Sequence, residues 1–134
     1  NRSKPNEIES MNLMGDVNGK IAVMVDDIID TGGTMIKASE LLIDNGAIEV
    51  YMMACHGLFS KNALVNIEKS KISKVIVTNT VTVSEAVKNC KKISVIDVSW
   101  VCAEAIRRQN NGESLKELYA SDFDSQFNYP INFV

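Results

Sequence analysis

What the chain has little of narrows its chemistry first. It contains a single histidine, His56, and neither an HExxH string nor paired CxxC spacing, so a histidine- or thiolate-bound metal centre cannot be assembled from it. The three cysteines, Cys55, Cys90 and Cys102, form an odd set without redox or zinc spacing and are expected as buried, reduced thiols. Any metal must therefore be held by oxygen. Positive charge is not in excess: 14 basic and 17 acidic residues give a net charge of −3, with the signs interspersed, which excludes a basic stripe for nucleic acid or an anionic membrane surface. Long apolar runs are missing as well, since stretches such as Ile21 to Val25 and Ile93 to Ile96 are far too short for a bilayer span or a signal core. A cytoplasmic location is expected. Aromatics amount to 6%, and five of the eight (Tyr119, Phe123, Phe127, Tyr129 and Phe133) fall in the tail from Tyr119 to Val134. So sticky a tail is expected to dock on its own domain.

With 134 residues and 46% hydrophobic content, the chain has the size of one domain with one core. Residues 1–18 are polar and aperiodic and read as an incoming loop, and position 1 is not methionine, which predicts a piece of a longer protein. A domain is expected over 19–119, followed by the aromatic tail over 120–134. The run Ile21 to Asp26 predicts a strand covered on both faces, and Met35, Ala38, Leu41 and Leu42 predict the inner face of a helix closed by Asn45-Gly46. Strands follow at about Val50 to Ala54, Lys74 to Val77 and Ile93 to Val98. Ser60 is the candidate cap of a helix that turns Ala63, Leu64 and Ile67 inward. A last long helix should bury Val98, Val101, Cys102, Ala105 and Ile106, with Arg107 and Arg108 at its dipole's negative end. Ser114 to Glu117 has the form of a capping box for one more short helix. Alternating strands and helices predict an α/β fold with a parallel sheet in three layers.

In such a sheet, ligands bind at the carboxyl ends of strands, and the first strand leads into Asp26-Asp27-Ile28-Ile29-Asp30-Thr31-Gly32-Gly33-Thr34. Gly32 and Gly33 allow the backbone to curl and present successive N–H groups, the next helix adds the positive end of its dipole, and Thr31 and Thr34 add hydroxyls. That is a cradle for phosphate. Aspartates beside it repel an anion unless they grip hydroxyls of the same ligand or a cation accompanies it. A pentose 5-phosphate meets both demands, with its phosphate on residues 30–34 and its diol on Asp26 and Asp27. The bland alternative is an acidic turn that merely caps a helix. A receiver domain needs a later strand-end aspartate where this chain has Cys55-His56-Gly57; a haloacid-type phosphatase needs D-x-D; a Walker loop needs G-x-x-x-x-G-K-[ST]. None of the three fits. His56, at a strand end, is expected as a structural hydrogen-bonder, and Trp100 with Met24, Met35, Met52 and Met53 as packing residues.

The string Val25 to Thr34 is similar to the phosphoribosyl-binding motif of the type I phosphoribosyltransferase fold. Asn6-Glu7, Gly15-Asp16-Val17, His56-Gly57-Leu58-Phe59-Ser60, Val77-Thr78-Asn79-Thr80, Ala103 to Arg108 and Asn111-Gly112-Glu113-Ser114 further resemble, in order, stretches of ribose-phosphate diphosphokinases, over residues 1 to about 119. The resemblance implies transfer of diphosphate from Mg²⁺-ATP to the anomeric hydroxyl of ribose 5-phosphate, giving phosphoribosyl diphosphate and AMP. It also implies a homo-oligomer, a hexamer in the family, with ATP sites shared between subunits.

By the same resemblance, Asp26 and Asp27 hold the ribose hydroxyls and Asp30, Thr31, Gly32, Gly33 and Thr34 the 5-phosphate. Arg2 matches a catalytic-loop arginine, and Ser114 one of two serines that bind regulatory phosphate. The loop's partner lysine, the ATP site and the family's metal ligands have no counterpart in this chain, so no turnover is expected from it alone. Gly32 replaces a frequent cysteine, harmless for a backbone cradle, and Lys116 replaces the second serine. Two alternatives stay open: a non-catalytic regulatory paralogue, and a phosphoribosyltransferase that consumes phosphoribosyl diphosphate.

Overall fold

The computed structural model describes residues 12–119; Arg2 and the 120–134 tail lie outside them. Strand β1 (Ile21–Ile29) leads to helix α1 (Gly33–Asp44), β2 (Glu49–Gly57), α2 (Ala63–Lys69), β3 (Lys74–Thr78), α3 (Glu85–Lys88), β4 (Ile93–Ile96) and α4 (Ser99–Asn110), with a 3-10 turn at Lys116–Tyr119. The strands form one parallel sheet in the order β1-β2-β3-β4. Because each crossover steps to the next neighbour, right-handed connection sends α1, α2 and α3 to the same face. The core reflects this. Met35 and Ile36 of α1, Ala63 and Ile67 of α2 and Val87 of α3 pack with Met52, Ala54, Val75, Val77, Ile93 and Val95 of the strands. Each such burial of a Val- or Ile-sized side chain stabilises by about 1.5–3 kcal/mol.

Among the described residues the sheet's other face is open along β1 and β2. With side chains alternating between faces, Val23, Val25 and Met53 stand in solvent, Val25 at 77% exposure. The expected strand covered on both faces is thus covered on one among the described residues. Strand β1 also runs three residues past the predicted end at Asp26, because Ile28 and Ile29 continue the ladder opposite His56 and Gly57.

Helix α1 ends as expected, with Gly46 N donating to the Ile43 carbonyl and Ala47 N to that of Leu42, a left-handed closure that satisfies the last carbonyls. Ser60 does not cap α2 with its hydroxyl; Asn62 occupies the cap position, and the Ser60 carbonyl accepts from Ala63 N. The short α3 was not predicted. Its cap is the Ser84 hydroxyl, which accepts from Val87 N at 3.3 Å. Helix α4 departs most from expectation: Cys102 is exposed and Ile106 is 70% exposed, whereas the buried residue is Arg108. Of the cysteines only Cys90 is buried; Cys55 is exposed because it takes the open face of β2.

Candidate functional site

The end of β1 and the start of α1 enclose a cavity of about 210 Å³, lined by Asp26, Ile28, Ile29, Asp30, Thr31, Gly32, Gly33 and Thr34, with Met35 and Met52. Drug-sized ligands occupy about 300–1,000 Å³, so this volume suits a smaller, compact molecule. The loop is bent by Gly32, whose φ of 73° lies in the left-handed region that a side chain resists. From there α1 begins without a side-chain cap. The first backbone bond of the helix joins Ile36 N to the Gly32 carbonyl, so the N–H groups of the preceding residues in the first turn are left for another partner. They sit at the positive end of a helix of 12 residues. The floor is apolar: Met35 is buried, and its terminal methyl carbon lies 3.3 Å from where a Gly32 side chain would start.

Every residue predicted to hold phosphate (Asp30, Thr31, Gly32, Gly33 and Thr34) lies on this cavity. So does Asp26, whose carboxylate accepts the Asp27 N–H at 2.9 Å. Asp27 is not among the lining residues; it is exposed and lies one position further along the strand. Among the described residues no lysine or arginine lines the cavity. An anion there would meet amide and hydroxyl donors but also the carboxylates of Asp26 and Asp30, which calls for a cation brought with the ligand. Among the described residues no group of three or more His, Cys, Asp or Glu is arranged to hold a metal ion.

Missed by sequence reasoning were Ile28, Ile29 and Met52 as lining residues; the strand's continued apolar character at Ile28-Ile29 was the available signal. His56 behaves as expected of a structural residue: its Nδ1 pairs with the Thr80 hydroxyl at 2.8 Å, and Thr78 and Thr80 hydroxyls donate to the Cys55 carbonyl at 2.7 and 3.0 Å. This ties the ends of β2 and β3 together. Asn79 does the same for β3 and β4, donating to Asp97 and accepting from Val98 N. The Ser99 N–H also donates to Asp97, and these hydrogen bonds hold its carboxyl below the usual range.

Ser114 lies beyond α4. Its hydroxyl accepts the Lys116 N–H at 3.1 Å, and its carbonyl accepts from Arg108 Nη1 at 3.0 Å. Behind it, Glu104 bridges Arg107 and Arg108, each at 2.8 Å, and Arg107 reaches Glu113 as well. Hydrogen bonds from Arg107 and Arg108 lower the Glu104 carboxyl to about 2. Hydrogen bonds from Arg107, with a contribution from Asn111, lower that of Glu113, and the Arg107 guanidinium is correspondingly raised.

Comparison with known proteins agrees with this architecture. Residues 2–120 match the model of the phosphoribosyl synthetase-associated domain. Ribose-phosphate pyrophosphokinase 3 of Saccharomyces cerevisiae is 45% identical over 130 residues, 97% of this chain and 38% of the yeast protein. Ribose-phosphate pyrophosphokinase 1 of Candida albicans is 48% identical over 118 residues, 88% of this chain and 37% of that protein. The chain thus spans less than two-fifths of the length of these relatives. The crystal structure of phosphoribosylpyrophosphate synthetase from Mycobacterium smegmatis superimposes with a TM-score of 0.71 at 36% identity, covering 74% of this chain and 33% of that one. A match that takes in nearly the whole sequence, joined to a parallel sheet of the same design, means that the chain belongs to the phosphoribosyl synthetase family.

Proposed function

We propose that this chain is the ribose 5-phosphate-binding part of an enzyme that transfers diphosphate from ATP to ribose 5-phosphate, forming phosphoribosyl diphosphate. The observation that carries the reading is the uncapped, left-handed entry into α1 on a cavity that Asp26 also lines. The phosphate takes the N–H groups and hydroxyls of Thr31 to Thr34, where amides and the helix dipole favour an anion. Asp26 accepts hydrogen bonds from ribose hydroxyls. Asp27 stands beside it but off the cavity wall, so it contributes less. Their joint effect is to hold the anomeric hydroxyl still, and positioning supplies a large part of the rate in phosphoryl-type transfer.

Mg²⁺ arrives with ATP as part of that substrate and offsets the repulsion between the transferring phosphates and Asp26 and Asp30. ATP is held mainly by parts of the enzyme beyond this chain, with Arg2 closing over the phosphates, and the isolated chain does not turn over. The parent is a cytoplasmic homo-oligomer, hexameric as in its family, and Ser114 with Lys116 forms part of a regulatory phosphate site. A regulatory paralogue is less well supported, because the phosphate loop Thr31-Gly32-Gly33-Thr34 is intact.

Calorimetric titration of ribose 5-phosphate tests the site directly. Saturable heat from the wild type, lost in an Asp26→Asn/Asp27→Asn double variant, is expected; identical heats from both proteins would discredit the assignment.

A further inference from the structure

The turn between β2 and α2 is hydrogen-bonded to the phosphate loop rather than merely adjacent to it. The Ile29 carbonyl accepts from Leu58 N at 2.8 Å and from Phe59 N at 3.2 Å, and the Asp30 carbonyl accepts from Ser60 N at 3.1 Å. Phe59 is left-handed, with φ of 50°, and Lys61 shares that conformation at 57°. For an aromatic residue such a backbone is strained and persists only where packing enforces it. Packing does so here. Phe59 is 8% exposed, joins the core cluster with Ile29, and its ring lies so close over Gly57 that a Cβ there would stand 2.5 Å from Phe59 Cε2 and 3.2 Å from Val77 Cγ1.

The peptide plane converts that packing into ligand geometry. In a trans peptide the C=O and the following N–H point in opposite directions, and no described peptide is cis. The Ile29 carbonyl shares its plane with the Asp30 N–H, and the Asp30 carbonyl with the Thr31 N–H. Drawing both carbonyls toward the turn therefore aims both N–H groups away from it. Asp30 and Thr31 are also residues of the cavity wall. Without the turn, either carbonyl could swing toward the cavity and present an oxygen to an anion.

We infer that Phe59, seated on Gly57, is a positioning residue for the phosphate: it holds the β2–α2 turn against the Ile29 and Asp30 carbonyls and thereby aims the Asp30 and Thr31 N–H groups at the ligand. The inference rests on the ribose 5-phosphate reading of the cavity and adds to it an element that does not touch the ligand.

The test uses the full chain with ribose 5-phosphate and, separately, inorganic phosphate. Gly57→Ala, which forces the ring off its seat, should weaken both ligands about tenfold, and adding Phe59→Leu to make room should recover part of the loss. Hydrogen exchange on the wild type supplies a second measurement that needs no variant to fold. Ribose 5-phosphate should slow exchange at the Leu58, Phe59 and Ser60 amides, because whatever the turn does for the ligand the ligand must do for the turn. Unchanged affinity in Gly57→Ala, or unchanged exchange at those amides in a wild type that binds, overturns the role of Phe59 alone. A wild type that binds neither ligand overturns the reading of the cavity, and this inference with it.

Discussion

The two ends of helical structure that carry the most charge in this molecule are built on opposite plans. At the start of α1, Asp26 and Asp30 stand beside an uncapped helix entry, with no cation on the cavity wall among the described residues. At the close of α4, Glu104, Arg107, Arg108 and Glu113 satisfy one another through bonds of 2.8 Å, and Arg108 is 5% exposed. The second arrangement is complete by itself and fastens the segment leading to Ser114. Among the described residues the first has no cationic partner for its acids, and a strand end that leaves first-turn helix donors open beside them is prepared to receive a ligand. Charge density alone would have ranked the two alike; the pattern of pairing separates them.

The sharpest way to break the contrast is at the cavity. Asp26→Asn should weaken ribose 5-phosphate binding roughly ten- to a hundredfold, since a hydrogen bond to a charged group contributes about 1.5–3 kcal/mol. Asp27→Asn should weaken it by a smaller factor, since Asp27 does not line the cavity, and calorimetry that ranks the two in reverse would overturn the primacy of Asp26. At the other end the effect should fall on stability and not on the ligand. Glu104→Gln takes away the carboxylate that bonds the buried Arg108 at 2.8 Å and should lower the thermal midpoint by several degrees, while ribose 5-phosphate affinity stays within about twofold. Loss of binding in that variant would join the two regions that the pairing pattern divides.

Acid gives a milder form of the same perturbation. The Glu104 carboxyl is lowered from 4.5 to about 2 on folding. Its stabilisation is therefore complete above the unfolded value and is lost as pH falls through that interval toward 2. The pH dependence of the midpoint between 5 and 2 should flatten in Glu104→Gln. The smallest effect is expected where a pair is exposed. Lys71 and Asp44 meet at 2.7 Å with half or more of each side chain in solvent, so Asp44→Asn should leave the midpoint unchanged to within about 2 °C.

Much of this was legible in the sequence because each part obeys a local rule. The phosphate loop follows from glycines placed between a strand and a helix, and the order of strands from apolar runs separated by helical periodicity. What escaped was decided by neighbours distant in sequence or by signals too short to register. Helix α3 has four residues, less than a periodic pattern needs, and only Ser84 announces it. The stripe on α4 pointed to Cys102 and Ile106, yet the side chain taken inside is Arg108, acceptable there because Glu104 one turn earlier neutralises it. The end of β1 was placed at its acids, whereas the ladder with β2 carries it to Ile29. The turn at Phe59 was noticed only as part of a family string. Its bonds to Ile29 and Asp30 depend on parallel register, which one strand read alone does not contain.

The side of the sheet that no described residue covers has a practical consequence. Among the described residues strand β1 forms an outer edge of nine residues with Val23 and Val25 standing in water beside it. Backbone groups in a row, flanked by greasy side chains, are a template for lateral growth. Preparations of this polypeptide alone should clump as concentration rises, and a single lysine in place of Val25 should keep them clear without touching the ligand end.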